Sequence, residues 1–66
     1  MSVAKVIEIS AESKESFEDA IRQGIAAAGK TIHGIKAAWV QGQQVTVKDN
    51  KIALFRVDLK VTFVVD

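Results

Sequence analysis

Apolar and polar residues alternate with period two along the last quarter of the chain, KIALFRVDLKVTFVVD. Every odd position from Ala53 to Val65 is apolar, while Arg56, Asp58, Lys60 and Thr62 occupy even positions between them. This is the signature of a strand with one face buried, sustained well beyond the ordinary length. Extended at about 3.3 Å per residue, the segment spans roughly 45 Å. A compact chain of this size has a radius of gyration of only about 11 Å. Part of the apolar face therefore has to meet something outside the subunit, most simply another copy.

The pattern predicts three more elements. Val3 to Ser10 reads as a first strand, with Val3, Val6, Ile7 and Ile9 as its apolar positions. Phe17, Ala20, Ile21, Gly24, Ile25 and Ala28 recur at helical spacing and form one stripe, whose small members permit close approach to a sheet. Ser13 is the expected N-cap of this helix, with Glu15, Glu18 and Asp19 near its positive end, and Gly29-Lys30 its stop signal. A second long strand runs from about Ile35 to Val47. Asp49-Asn50 tolerates positive φ, so a tight hairpin closed by Lys48 and Lys51 joins it to the third.

An uninterrupted ladder from that turn places Trp39 opposite Lys60, Gln41 opposite Asp58 and Gln43 opposite Arg56, all on one face. The other face then carries Ala38, Val40, Gly42, Phe55, Val57, Leu59 and Val61, which suit packing on the helix; Phe17, Ile21, Val57, Leu59 and Val61 are the expected core. The fold class is α+β, a β-α-β-β subunit with a three-stranded antiparallel sheet around one helix, in one domain over residues 1–66.

Composition sharpens the need for a partner. Sixty-six residues lie near the lower limit of self-sufficient domains, which commonly rely on disulfides, a metal or oligomerisation. The chain has no Cys and one His, His33, so disulfides, thiolate zinc sites and an imidazole cluster within one chain are excluded. Hydrophobic residues make up 48% of the chain, which leaves oligomerisation. A formal net charge of +1 with interspersed signs gives no footprint for nucleic acid or an acidic membrane. No run suits a transmembrane helix or a signal peptide, so the expected compartment is the cytoplasm.

No catalytic constellation assembles: His33 reads as an ordinary surface residue in a connector, and the glycines form no phosphate-binding fingerprint. Trp39 carries more information. An indole flanked by Gln41, Gln43, Arg56 and Asp58 offers stacking and hydrogen bonds to a planar heteroaromatic ligand; the competing role is packing where subunits meet. The Arg56-Asp58-Lys60 series is either a charged ladder or a donor set for a ligand's carbonyls or phosphate.

Over nearly its whole length the chain resembles the dodecin family. The resemblance rests on the opening VIEIS, on Ser13-x-x-Ser16-Phe17-Glu18-x-Ala20, on Ala38-Trp39-Val40 and on the closing FRVDLKVTFVV. It implies a hollow spherical homododecamer that binds flavin (riboflavin, FMN or FAD) without catalysis, for storage, buffering or quenching. In the family, isoalloxazine rings lie in pairs between symmetry-related Trp side chains, and a Gln on the third strand hydrogen-bonds the ring. With Val40 aligned to the family's Trp-x-Glu-Val pattern, the family's Trp falls on Ala37, its Glu on Trp39 and its ring-binding Gln on Arg56. The stacking residue is thus displaced by two positions and the hydrogen-bonding residue replaced. The cofactor-binding residues expected here are Trp39, Arg56, Gln43, Ala37 and Gln41. The alternative is a dodecin-like oligomer that binds another ligand, a nucleotide-containing cofactor or a cation, or none. A flavoenzyme is the reading the residues argue against, because acid-base groups are lacking near Trp39.

Overall fold

The computed structural model describes residues 3–65. Strand β1 (Val3–Ser13) leads into helix α1 (Phe17–Gly29), and strands β2 (Ile35–Lys48) and β3 (Lys51–Val65) follow as a hairpin. All pairing is antiparallel and the sheet order is β1-β3-β2, which puts the longest apolar strand in the centre. The expected β-α-β-β subunit is the observed one. Its principal extents are 51 × 19 × 14 Å and its radius of gyration is 13.5 Å, so the long strand stays extended and stretches the whole subunit.

The helix covers only the middle of one sheet face. Val57, Leu59 and Val61 of β3 are fully buried beneath it, together with Ala20, and Phe17, Ile21, Ile25, Ile7, Ile9, Ala11, Ala38 and Val40 pack around them. Gly24 sets the depth of the approach. A Cβ there would lie 3.0 Å from Ala11 Cβ and 3.3 Å from Leu59 Cδ1, so any side chain would push the helix off the sheet.

The first strand continues three residues beyond its expected end, because Ser13 still pairs with Phe55. This displaces the cap. Ser16, not Ser13, is the N-cap, and its hydroxyl accepts a 3.0 Å bond from the Asp19 amide. Ser13 is buried instead as a corner brace: its hydroxyl donates to Asp19 Oδ2 at 2.6 Å and accepts from the Glu15 amide at 2.9 Å. The helix runs to Gly29, with Lys30 as its C-cap. Gly34 then takes a φ of 78°, open to glycine at little cost, while its carbonyl accepts from the Val64 amide at 3.0 Å.

The hairpin closes as the sequence predicts. Asp49 and Asn50 have φ of 53° and 62°, and Lys48 pairs with Lys51. The ladder that follows is interrupted. Register shifts fall between Thr46 and Val47, between Val40 and Gly42, and between Ile35 and Ala37. The first leaves Ala53 unpaired on β3, the second Gln41 on β2 and the third Lys36. In the stretch between the first two shifts, every expected partner is displaced by one residue.

Candidate functional site

The sheet face turned away from the helix holds the polar side chains, and its rows follow from the register. Glu8, Lys60 and Trp39 form one row across β1, β3 and β2. Ser10, Asp58 and Gly42 form the next, and Glu12, Arg56 and Gln44 the third. On the other side of the Trp39 row stand Val6, Thr62 and Ala37.

Trp39 therefore stands opposite Lys60, as expected. Its side chain is 71% exposed, an unusual state for an indole in the middle of a strand. The exposed methyl side chain of Ala37 next to it, paired with Thr62, leaves the ring uncovered on that side. Lys60 Nζ lies 3.9 Å from Glu8 Oε1, an exposed ion pair of small energetic consequence.

Two expected placements are corrected by the register shift at Ala53, which holds along β2 until the bulge at Gln41 cancels it. Gln43 does not share a face with Arg56; it pairs with Val57 and stands, exposed, on the helix side of the sheet. Gln44 takes its position opposite Arg56. Likewise Gly42, expected on the helix side, stands opposite Asp58 where Gln41 was expected. A bulge inserts one residue and turns its neighbours over, and a glycine inside an alternating strand is the sequence signal that could have located it.

The consequence is a cleft. With no side chain at Gly42, an open hollow of about 510 Å³ lies over the middle row, lined by Glu8, Ser10, Gln41, Gly42 and Asp58. Asp58 is held in place by Ser10, whose hydroxyl donates to Oδ1 at 2.7 Å. The other carboxylate oxygen, Oδ2, lies 3.7 Å from the point a Gly42 Cβ would occupy.

Arg56 bounds this region on the far side. Four residues separate it from Lys60 along β3, about 14 Å at strand spacing. Its Nε is buried and has no hydrogen-bond partner among the described residues. A buried donor left this way is costly, so a ligand acceptor or a group from another subunit is the natural complement. Its cross-strand neighbour Glu12 makes no ion pair with it among the described residues. The charged series on β3 is thus committed unevenly: Lys60 to Glu8, Asp58 to Ser10, and Arg56 to neither flanking strand.

Other candidates are inert. His33 is exposed in the connector. Among the described residues, no three His, Cys, Asp or Glu side chains gather to hold a metal ion. Among the described residues, no helix is long and apolar enough to cross a membrane.

An antiparallel three-stranded sheet curled over one helix, with an exposed Trp and a polar cleft on its open face, defines a small α+β binding protein. The Dodecin family model matches residues 3–66, and the chain belongs to the dodecin family. Among solved structures it is similar to a dodecin from Streptomyces davaonensis, with 32% identity, 98% of this chain and 96% of that one covered, and a TM-score of 0.94. A single-residue mutant of the Thermus thermophilus dodecin matches with 27% identity, 100% and 98% coverage and a TM-score of 0.95. A protein from Mycobacterium tuberculosis, described as a calcium-chelating immunodominant antigen and calcium dodecin, matches with 35% identity, 94% and 89% coverage and a TM-score of 0.84. No curated protein sequence matches the chain.

Proposed function

We propose that this protein is a non-enzymatic, cytoplasmic flavin-binding homododecamer that stores or buffers riboflavin, FMN or FAD. The observation that carries the reading is Trp39, an indole 71% exposed in mid-strand on the open sheet face. Exposure of that size is unfavourable for an isolated subunit and useful where a ring and a second subunit cover it. Flavin stacks on Trp39 at a contact between symmetry-related copies. Ala37 leaves room beside the ring, and Arg56 and Gln44 donate to its polar edge, with Gln41 at the margin. Gln43, facing the other way, is not part of this site.

Membership of a family of small self-associating binding proteins supports the reading. So does Arg56 Nε, a buried donor awaiting an acceptor. The cation alternative draws on the likeness to the mycobacterial calcium dodecin. It is the weaker one, because the acidic groups of the described residues do not converge within a subunit.

The test is a fluorescence titration of riboflavin and FMN with purified protein, beside a visible absorption spectrum of the protein as isolated. Quenching that saturates at one flavin per subunit, or one per two, is expected. Unquenched flavin at micromolar protein overturns the flavin reading, and a calcium-dependent response in the same preparation would put a cation in its place.

A further inference from the structure

We infer that the hairpin tip of one copy docks into the groove between α1 and the outer edge of β1 on the next copy, so that subunits join head to tail. The inference rests on the self-association in the reading above and deepens it by naming the two surfaces that meet. The groove holds about 450 Å³, and Ile9, Ala11, Glu12, Gly24, Ala27 and Ala28 are among its lining. Gly24 brings α1 down onto Ala11. One turn further along, Ala27 and Ala28 are too short to fill the space between the helix and β1. The sheet order β1-β3-β2 makes β1 an edge strand, so this side of the groove is a strand edge with no partner among the described residues.

The tip has the complementary shape and charge. Val45 and Val47 share a face of β2, Ile52 stands opposite Val47, and all three are exposed. They lie past the contact of Phe17 with Phe55, at one end of a subunit 51 Å long. Branched side chains of this size fit a channel walled by alanines and a glycine. Glu12 is the one charged residue in the groove lining, and it makes no ion pair among the described residues. The hairpin closes on Lys48 and Lys51 around Asp49, which leaves the tip net positive, and neither Lys makes an ion pair among the described residues. An apolar contact rimmed by opposite charges has the composition of a subunit interface. A second tip is the poorer occupant, because it would set the lysines of two copies against one another. Tip and groove are different surfaces of one chain, so the contact is heterologous and ends only where a ring closes.

The experiment uses the absence of Cys from the chain, which lets introduced thiols report only the contact they are placed in. Val47→Cys, Ala27→Cys and the double variant are treated as assembled protein with a short bis-maleimide and run on a denaturing gel. Within one subunit the two positions are separated by at least the ten residues of helix from Phe17 to Ala27, about 15 Å, so the reagent does not bridge them internally. The double variant should give a ladder of covalent multimers, and each single variant should stay at the size of one subunit. A crosslinked dimer from either single variant shows like surfaces meeting and overturns the inference, as does an assembled double variant without a ladder; self-association stands in both cases. Ala27→Trp, which fills the groove from an exposed helix position, should shift light scattering toward smaller species with helix content unchanged. Its normal assembly also overturns the inference. A wild-type protein that is monomeric overturns self-association and the head-to-tail contact together.

Discussion

Phe17 meets Phe55 edge to face, with ring centroids 5.1 Å apart and planes inclined at 77°. The contact joins the first residue of the helix to β3 at the point where the hairpin leaves the helix behind. Beyond it the apolar face continues without cover: Val45 lies opposite Phe55, and Val47, 63% exposed, lies opposite Ile52, 56% exposed. The subunit therefore ends in an apolar tip that is left uncovered among the described residues.

Replacing Val47 with Asp should consequently weaken assembly more than folding. Wild-type protein is expected to run as a dodecamer in native mass spectrometry or light scattering, and Val47→Asp as smaller species with unchanged secondary structure. A charge placed in a covered apolar contact is strongly disfavoured, whereas on a solvated tip it changes little. A monomeric wild-type protein, or a Val47→Asp protein that assembles normally, would show that the tip is not an interface.

Leu59 sits at the centre of β3 with no exposed surface, between Ile9 on β1 and Val40 on β2 and beneath Gly24. Leu59→Ala should cost about 2–5 kcal/mol, measured by chemical denaturation at fixed protein concentration so that assembly does not confound the comparison. Val45, at the uncovered end of the same face, provides the contrast: Val45→Ala in a dissociated background should change stability by less than about 0.5 kcal/mol.

Acid should loosen the corner between β1 and α1. The Asp19 carboxyl is held below its ordinary value of 3.8, first by the hydroxyl of Ser13, then by the amide of Gln23, against an opposing effect of desolvation and with a lesser contribution from the charge of Arg22. A folded-state value below the unfolded one means that the ionised form stabilises the fold. That contribution is complete above the unfolded value and is lost as pH falls through the folded one. Asp19→Asn should therefore be less stable than wild type near pH 7, and the difference in melting temperature should narrow below about pH 4. A difference independent of pH would assign the effect to the lost cap-side contacts rather than to the charge. Ser16→Ala, which removes the N-cap acceptor, should cost about 1 kcal/mol with no such dependence on pH.

The element order, the hairpin turn and the core of β3 were legible because each depends on a local signal: strict alternation, two residues that accept positive φ, and a helical stripe. The ladder was not, because periodicity carries no information on where a residue is inserted. Trp39 falls opposite Lys60 as expected only because the residue gained on β3 at Ala53 is cancelled by the one gained on β2 at Gln41. Between those points the reading fails, and with it the placement of Gln43 and Gly42. The capping serine illustrates a different gap. Ser13 and Ser16 both have the chemistry of a cap, and the choice is made by how far β1 continues to pair with β3. Ser16 does carry a signal of its own, an acidic residue three positions on, which gives Asp19 its place over the first turn.

The proposed ligand site turns on Trp39. In the family pattern the stacking ring comes from the position that Ala37 holds here, two residues away on the same strand. Because side chains two apart on a strand share a face, the ring keeps its direction and moves by one row, about 7 Å along β2. On the proposed reading, a flavin stacked on Trp39 would be displaced with it, toward Lys60 and nearer to Arg56. Trp39→Ala should then abolish flavin quenching, a loss of at least about tenfold in affinity, while leaving the assembly intact in light scattering. Ala37→Trp provides the complementary measurement. In the wild-type background it should crowd the displaced ring and weaken binding, whereas in the Trp39→Ala background it should restore quenching at the family's own position. If Trp39→Ala instead dissociates the protein and leaves flavin affinity unchanged in the subunits that remain, the indole packs between copies and the flavin site lies elsewhere.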